Sequence, residues 1–227
     1  NEPLEPKNYR DSLKRSDRAQ WAAAEQVEYD TLMKHETWEV VDLPDYPISP
    51  LPTKFTYKAK IDPVSGNIVR YKARLVCRGD LQHQSEYDNT YSPTARIATA
   101  RTLISIATQE NLHLFQFDVE SAFVSSAVDR TIFIQLPPSC PKPPPGKVYR
   151  LKQLLYGLKQ ASNLFHAKLA THLTDKGFTS VDEDRTLYVR RTDKGVIYVS
   201  LYVDDGLCSA SSEQVYNEFI DELREIF

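Results

Sequence analysis

Hydrophobic and polar positions alternate strictly over Lys54–Ile61, with Lys54, Thr56, Lys58 and Lys60 set against Phe55, Tyr57, Ala59 and Ile61. A second alternating run, Ile68–Val76, sets Arg70, Lys72 and Arg74 against Val69, Tyr71, Ala73 and Leu75. A period of two is that of a half-buried strand, and the intervening Asp62-Pro-Val-Ser-Gly-Asn67 is turn chemistry. Together they predict a β-hairpin. The same period places the six cations of the two runs on one face of it.

Elsewhere the spacing turns helical. Asp17 followed by Gln20 offers an N-cap and a capping-box partner for a helix over 17–35, where Ala22, Ala23, Ala24 and Glu25 favour helix. Prolines at 44, 47, 50 and 52 then mark a connector. Ile97, Ala100, Ile104 and Ala107 predict a helix over 95–109. Ala161, Phe165, Leu169 and Leu173 predict another, which Gly177 can cap. A last helix opens with Ser211 and Gln214 in capping-box positions and carries Val215, Phe219, Leu223 and Ile226 on one face. Between these lie short strands at Leu112–Phe117, which runs into Asp118, and at Ile132–Leu136, which leads into a proline-dense loop over 137–145. Leu187–Val189 and Val196–Val203 form a strand pair joined through Asp193-Lys194-Gly195. Strands and helices mix without regular βα alternation, so the class is α+β. No repeat of fixed period is present.

Composition narrows the classes. A chain of 227 residues, 41% hydrophobic, 26% charged and 11% aromatic, is an ordinary globular sequence of one large or two intertwined subdomains, which excludes disorder and collagen-like repeats. The apolar run around Val196–Val203 is far shorter than the roughly 20 residues that cross a bilayer, so no membrane partner is expected. No charged-then-apolar leader opens the sequence, and Asn at position 1 makes a piece of a longer protein the expectation. Cys77, Cys140 and Cys208 lie too far apart in sequence to suggest a disulfide framework or structural zinc, which suits a reduced intracellular setting. The net charge of −3 hides a sorted distribution: seven cations against Asp62 alone over 54–78, and seven acids against Arg224 alone over 204–227.

Several familiar chemistries are missing. There is no G-x-G-x-x-G or Walker A loop, no G-x-S-x-G elbow, and no metal-ligand spacing among the five histidines. The informative segment is Val199-Ser-Leu-Tyr-Val-Asp204-Asp205-Gly206, where two adjacent carboxylates end an apolar strand. Asp-Gly is by itself a hairpin-turn signal. Two like charges beside a buried strand nevertheless repel and lose hydration unless a cation compensates them, and Mg²⁺ suits such hard oxygen donors. Asp118 ends another apolar strand, where a turn or helix cap is the plainer alternative. If the two strands lie side by side in one sheet, Asp118, Asp204 and Asp205 converge at one rim, the arrangement that two-metal polymerases and nucleases use at phosphorus. The basic hairpin face complements a triphosphate or a nucleic-acid backbone, or else serves as a lysine-decorated edge that resists aggregation.

Taken together, Tyr202-Val-Asp-Asp205, Phe117-Asp-Val-Glu-Ser-Ala-Phe123, Arg70-Tyr-Lys-Ala-Arg-Leu-Val76 and Leu154-Leu-Tyr-Gly-Leu-Lys-Gln-Ala161 resemble the reverse transcriptase domain of copia-type LTR retrotransposons. The Trp21 helix, Thr37-Trp-Glu-Val40 and Tyr91-Ser-Pro93 fit the same family, so the resemblance runs from about residue 17 to 227. It implies a right-hand polymerase with fingers at 1–90, a first palm segment at 91–127, a return to the fingers at 128–160 and a second palm segment at 161–227. The palm would be a mostly antiparallel sheet backed by helices, with no thumb within these residues. Asp118 and Asp204 would hold two Mg²⁺ ions, or Mn²⁺ in their place, with Asp205 as the third acid. Lys72 and Arg74 would grip the dNTP triphosphate, and Phe123 would crowd the sugar 2′ position. Tyr156 and Gly157 would back the nucleotide, and Tyr202 and Val203 would pack near the primer end.

The resemblance has gaps. Val124-Ser-Ser126 stands where the family has Leu followed by Asn-Gly or His-Gly, Pro137-Pro-Ser-Cys140 where it reads Pro-Pro-Gly-Phe, and Ser162 where proline is usual. These positions shape loops and the back wall of the nucleotide pocket, so turnover would suffer while each carboxylate stays in place. The expected partners are an RNA or DNA template with its primer, dNTPs, and the thumb, RNase H and integrase parts of a Pol polyprotein. The expected location is cytoplasmic virus-like particles, with a nuclear phase. Two rivals stand beside this reading: a decayed or domesticated copy acting as a nucleic-acid-binding scaffold, and a metal-dependent nuclease using the same carboxylates.

Overall fold

The computed structural model describes residues 4–227. In chain order the elements are α1 (Tyr9–Ser12), α2 (Arg18–Lys34), β1 (Trp38–Asp42), β2 (Leu51–Ile61), β3 (Ile68–Cys77), α3 (Ile97–Gln109), β4 (His113–Asp118), β5 (Phe133–Gln135), β6 (Lys147–Leu151), α4 (Ala161–Asp175), β7 (Thr179–Val181), β8 (Asp184–Thr192), β9 (Gly195–Tyr202), β10 (Asp205–Ala210) and α5 (Glu213–Leu223). The fold is α+β with two separate five-stranded sheets. The chain divides into two compact units: residues up to Asp88 with Ala127–Ala161, and Asn89–Ser126 with Ser162–Phe227. Among the described residues no helix is long and apolar enough to cross a membrane.

The first unit is built on a sheet of order β1-β6-β5-β2-β3. Its long limb is the β2–β3 hairpin, with Thr56 opposite Arg74, Lys58 opposite Lys72 and Lys60 opposite Arg70. Phe55, Tyr57, Ala59, Ala73 and Leu75 are buried on the other face, as alternation requires. Against that face lies α2, whose fully buried Trp21 makes edge-on ring contacts with Tyr57 at 5.3 Å and Tyr71 at 4.7 Å. One turn on, buried Glu25 is satisfied by Arg18 at 2.6 Å and by the Tyr57 hydroxyl at 2.7 Å. The helix does begin after Asp17, but the Asp17 side chain makes no capping bond, because its carboxylate accepts from Arg15 Nε at 2.7 Å instead. Pro52 is not in the connector. It belongs to β2 and pairs in parallel with Gln135 at the very start of the strand, where a missing N–H is tolerated.

The second unit carries an antiparallel sheet of order β4-β10-β9-β8-β7. One face is sealed by α5, with Phe115 stacked on Tyr216 at 4.0 Å and Phe117 edge-on to Phe219 at 5.6 Å. The stripe Ala161, Phe165, Leu169 and Leu173 of α4 is buried, and Gly177 closes that helix by donating to the Thr174 carbonyl at 2.9 Å. Two local expectations shift. On α3 the buried residues are Leu103 and Ala107, while Ile97 and Ile104 are 73% and 45% exposed. Successive residues turn by about 100°, so Ile104 sits well round from Leu103, and the sheet takes the 103–107 side. The α5 cap is Ser212, which accepts from Val215 N, rather than Ser211, whose hydroxyl accepts from Val196 N at 3.1 Å.

Candidate active site

Asp118 and Asp205 are directly opposed residues of the β4–β10 ladder, so both side chains leave the same face of the sheet. It is the face opposite Phe115 and Phe117, on which Leu114, Gln116, Asp118 and Tyr202 are exposed. Asp204 lies next in sequence, and its backbone carbonyl accepts from Val119 N at 2.9 Å. That bond ties the turn after β9 to the residue following Asp118. The strands ending at Asp118 and at Tyr202 share a sheet, but they are not neighbours, because β10 lies between them. The three residues therefore stand at one end of the sheet. Among the described residues no group of three or more His, Cys, Asp or Glu side chains is gathered closely enough to hold a metal ion as it stands. The donor chemistry, carboxylate oxygen on residues open to solvent in whole or in part, is what a hard divalent cation takes.

The turn itself differs from the Asp-Gly signal. Tyr202 pairs with Asp205, so the two-residue loop is Val203-Asp204, and Asp205 and Gly206 are already strand. Val203 has φ +56°, a left-handed value that a β-branched residue rarely adopts. Positive φ at the first loop position is the pattern of a type II′ hairpin, which ordinarily takes glycine there. Strain of this kind persists only where neighbours impose it. Gly206 serves packing: a Cβ there would meet the Phe117 ring at 2.1 Å, so the missing side chain lets that ring lie over β10. Phe123, on the turn after Asp118, is buried edge-on against Phe165 at 5.8 Å.

The remaining residues singled out from the sequence belong to the first unit. Lys72 and Arg74 lie on the outer face of β3, and the Arg74 guanidinium sits over the Tyr156 ring at 5.1 Å. Burial, and then repulsion from Arg74, Arg70 and Lys60, holds the Lys72 pKa below the ordinary lysine value. Tyr156 and Gly157 are knitted to the end of β3: Cys77 N donates to the Tyr156 carbonyl at 2.7 Å, and a Cβ on Gly157 would meet the Cys77 carbonyl oxygen at 2.3 Å.

Two supports escaped the sequence reading. The Gln82 amide donates to Gln160 Oε1 at 2.9 Å and its own Oε1 accepts from Lys159 N at 3.0 Å, so a buried glutamine pair fixes the segment that carries Tyr156 and Gly157. The two glutamines are 78 positions apart, and no local pattern links them. The Glu28 carboxylate of α2 accepts from Leu75 N at 3.0 Å and so closes the open edge of β3 beside Arg74. Burial raises the Glu28 pKa above its ordinary 4.5, against the lowering effects of the Leu75 N–H, Arg74 and Lys72.

Comparison with known proteins places these observations. Residues 35–227 match the family described as reverse transcriptase (RNA-dependent DNA polymerase). The chain is similar to the retrovirus-related Pol polyprotein from transposon RE2 of Arabidopsis thaliana, 29% identical over 91% of the chain and 14% of that protein. The RE1 polyprotein of the same plant is 28% identical over 91% of the chain and 14% of its own length. The Pol polyprotein from transposon TNT 1-94 of Nicotiana tabacum is 30% identical over 98% of the chain and 17% of its length. The chain thus spans about one seventh of the curated relatives it matches.

Proposed function

The chain belongs to the reverse transcriptase (RNA-dependent DNA polymerase) family, and from that premise we propose that it is the fingers and palm of a retrotransposon RNA-directed DNA polymerase. The first unit is the fingers and the second the palm. What supports this is that the chain passes between units after Asp88, before Ala127 and after Ala161, so each unit is discontinuous, as fingers and palm are expected to be. The observation that carries the reaction is Asp118 opposite Asp205 on an open sheet face, with Asp204 in the adjoining turn.

In this reading Asp118 and Asp204 would hold two Mg²⁺ ions, with Asp205 completing the acidic set. When bound, such ions would supply Lewis-acid charge for nucleotidyl transfer from a dNTP to a primer 3′-hydroxyl. The protein's own groups do the positioning. Lys72 and Arg74 bind the triphosphate, whose negative charge offsets the burial and the repulsion from Arg74 that hold the Lys72 pKa down. The Tyr156 ring holds the Arg74 guanidinium in place for bidentate contact. Phe123 crowds the sugar 2′ position, and Tyr202, 55% exposed beside the turn, packs near the primer end. Template, primer and the other parts of a Pol polyprotein are the partners.

The test is extension of a labelled DNA primer on an RNA template with Mg²⁺ and dNTPs, comparing this chain with Asp204→Asn. Extension by the chain that disappears in the variant supports the polymerase. Shortening of the primer identifies a nuclease. Template binding without extension by either protein, persisting when the downstream thumb part of a Pol polyprotein is added, identifies the scaffold.

A further inference from the structure

The turn that carries Phe123 is short and irregular. Ser121 has φ +55°, and the turn is closed by bonds from Val124 N to the Ser121 carbonyl at 3.1 Å and from Ser126 N to the Phe123 carbonyl at 3.0 Å. Across from it stands Lys168 of α4. Its ammonium donates to the Ser125 carbonyl at 2.5 Å and to the Ile226 carbonyl at 3.0 Å, and lies 5.1 Å from the Phe227 ring centroid. One turn earlier on the same helix, Phe165 touches Phe123 at 5.8 Å and Phe227 at 5.6 Å. Partial burial of the ammonium holds its pKa below the usual lysine value. A partly desolvated cation bonded to two backbone carbonyls is a costly arrangement for a residue that merely fills space, and it joins three segments far apart in sequence.

We infer that Lys168 is a positioning residue that pins the 121–126 turn, and through it fixes the Phe123 ring and so the choice between deoxyribose and ribose. This rests on the reading of Phe123 as the residue that crowds the sugar. The effect of Lys168 passes through the Ser125 carbonyl, two positions from Phe123 in the same turn. The selectivity of such a site depends on placement to within an ångström, and displacement of that order costs one to two decades in rate.

Discrimination between dNTP and rNTP, as the ratio of kcat/KM values, is measured for this chain and for Lys168→Met, Lys168→Arg and Phe123→Val. Lys168→Met keeps the stem and volume while removing the charge, and it is expected to lower discrimination about tenfold. Lys168→Arg, which can still donate to both carbonyls, is expected to recover most of the loss. Wild-type discrimination in Lys168→Met, alongside a loss in Phe123→Val, overturns the positioning role alone. Wild-type discrimination in Phe123→Val overturns the sugar-crowding role, and this inference falls with it. Amide hydrogen exchange reads the brace without turnover. Exchange over 121–126 is expected to quicken in Lys168→Met while β9 stays as protected as in the wild type. Unchanged exchange over 121–126, or equal quickening in β9, overturns the brace even if the chain extends no primer.

Discussion

Asp118 stands directly opposite Asp205 across the β4–β10 ladder, two carboxylates on one face with Asp204 in the turn beside them. Directly opposed like charges destabilise an antiparallel pair, by about 0.2–1 kcal/mol each. Asp205→Asn is therefore expected to raise the urea-unfolding free energy by up to about 1 kcal/mol in metal-free buffer while primer extension falls. Mg²⁺ is expected to raise the melting temperature of the wild type, with the rise reversed by chelator and absent in Asp118→Asn. A variant less stable than the wild type without metal would show that the two carboxylates do not repel as placed.

Val203 holds a left-handed backbone conformation that costs about 1–2 kcal/mol for a residue with a Cβ. Val203→Gly removes that strain and costs part of the gain through the freer unfolded chain, so a net stabilisation of about 1 kcal/mol is expected. Extension is expected to fall, because the tension that sets Tyr202 and Asp204 is lost. Thermal melts and single-turnover extension on the same preparations separate the two effects.

Gly157 combines φ +89° with a backbone oxygen 2.3 Å from where a Cβ would stand. Gly157→Ala must move the junction between Tyr156 and the end of β3, and a loss of about 3 kcal/mol or more is expected. Gly146→Ala, at φ +74° with nothing within 4 Å of its Cβ, sets the cost of the backbone conformation alone, about 1–2 kcal/mol. Chemical denaturation of both variants makes the comparison. Equal losses would mean that the contact with Cys77 yields easily.

Glu28 has a folded-state pKa raised above 4.5 by burial, so the folded protein binds its proton more tightly than the unfolded chain does. The stability that this proton confers is complete below the unfolded value and is lost as pH rises through the raised folded value. Glu28→Gln keeps an acceptor for Leu75 N but no longer titrates. The stability of the wild type relative to Glu28→Gln is expected to decline as pH rises from about 4 through the window above 4.5, read by urea unfolding at each pH. A difference that grows with pH would place the Leu75 N–H and the arginine and lysine charges of β3, rather than burial, in control of this carboxylate.

The elements most legible in the sequence are those whose pattern is set by a single buried face. Strict alternation in β2 and β3 fixes which residues point inward, since a one-residue slip would turn every lysine into the core. The α4 stripe is legible for the same reason at a period of 3.6. The apolar strands that run into Asp118 and toward Asp204 were equally plain, as was the sorting of charge along the chain. Only the tertiary structure decided the rest. The turn sits at Val203-Asp204 rather than at Asp205-Gly206, because Gly206 is needed under the Phe117 ring and register with β4 carries Asp205 into the strand. Asp17 loses its capping role to Arg15, and α3 presents Leu103 rather than Ile104 to the sheet, because partners that are absent from the local pattern outbid local preference. Glu28 with Leu75, Gln82 with Gln160 and Lys168 with Ser125 join residues 47, 78 and 43 positions apart. Hydrogen bonds between such distant groups follow from where the chain closes on itself, and no periodicity along the sequence encodes them.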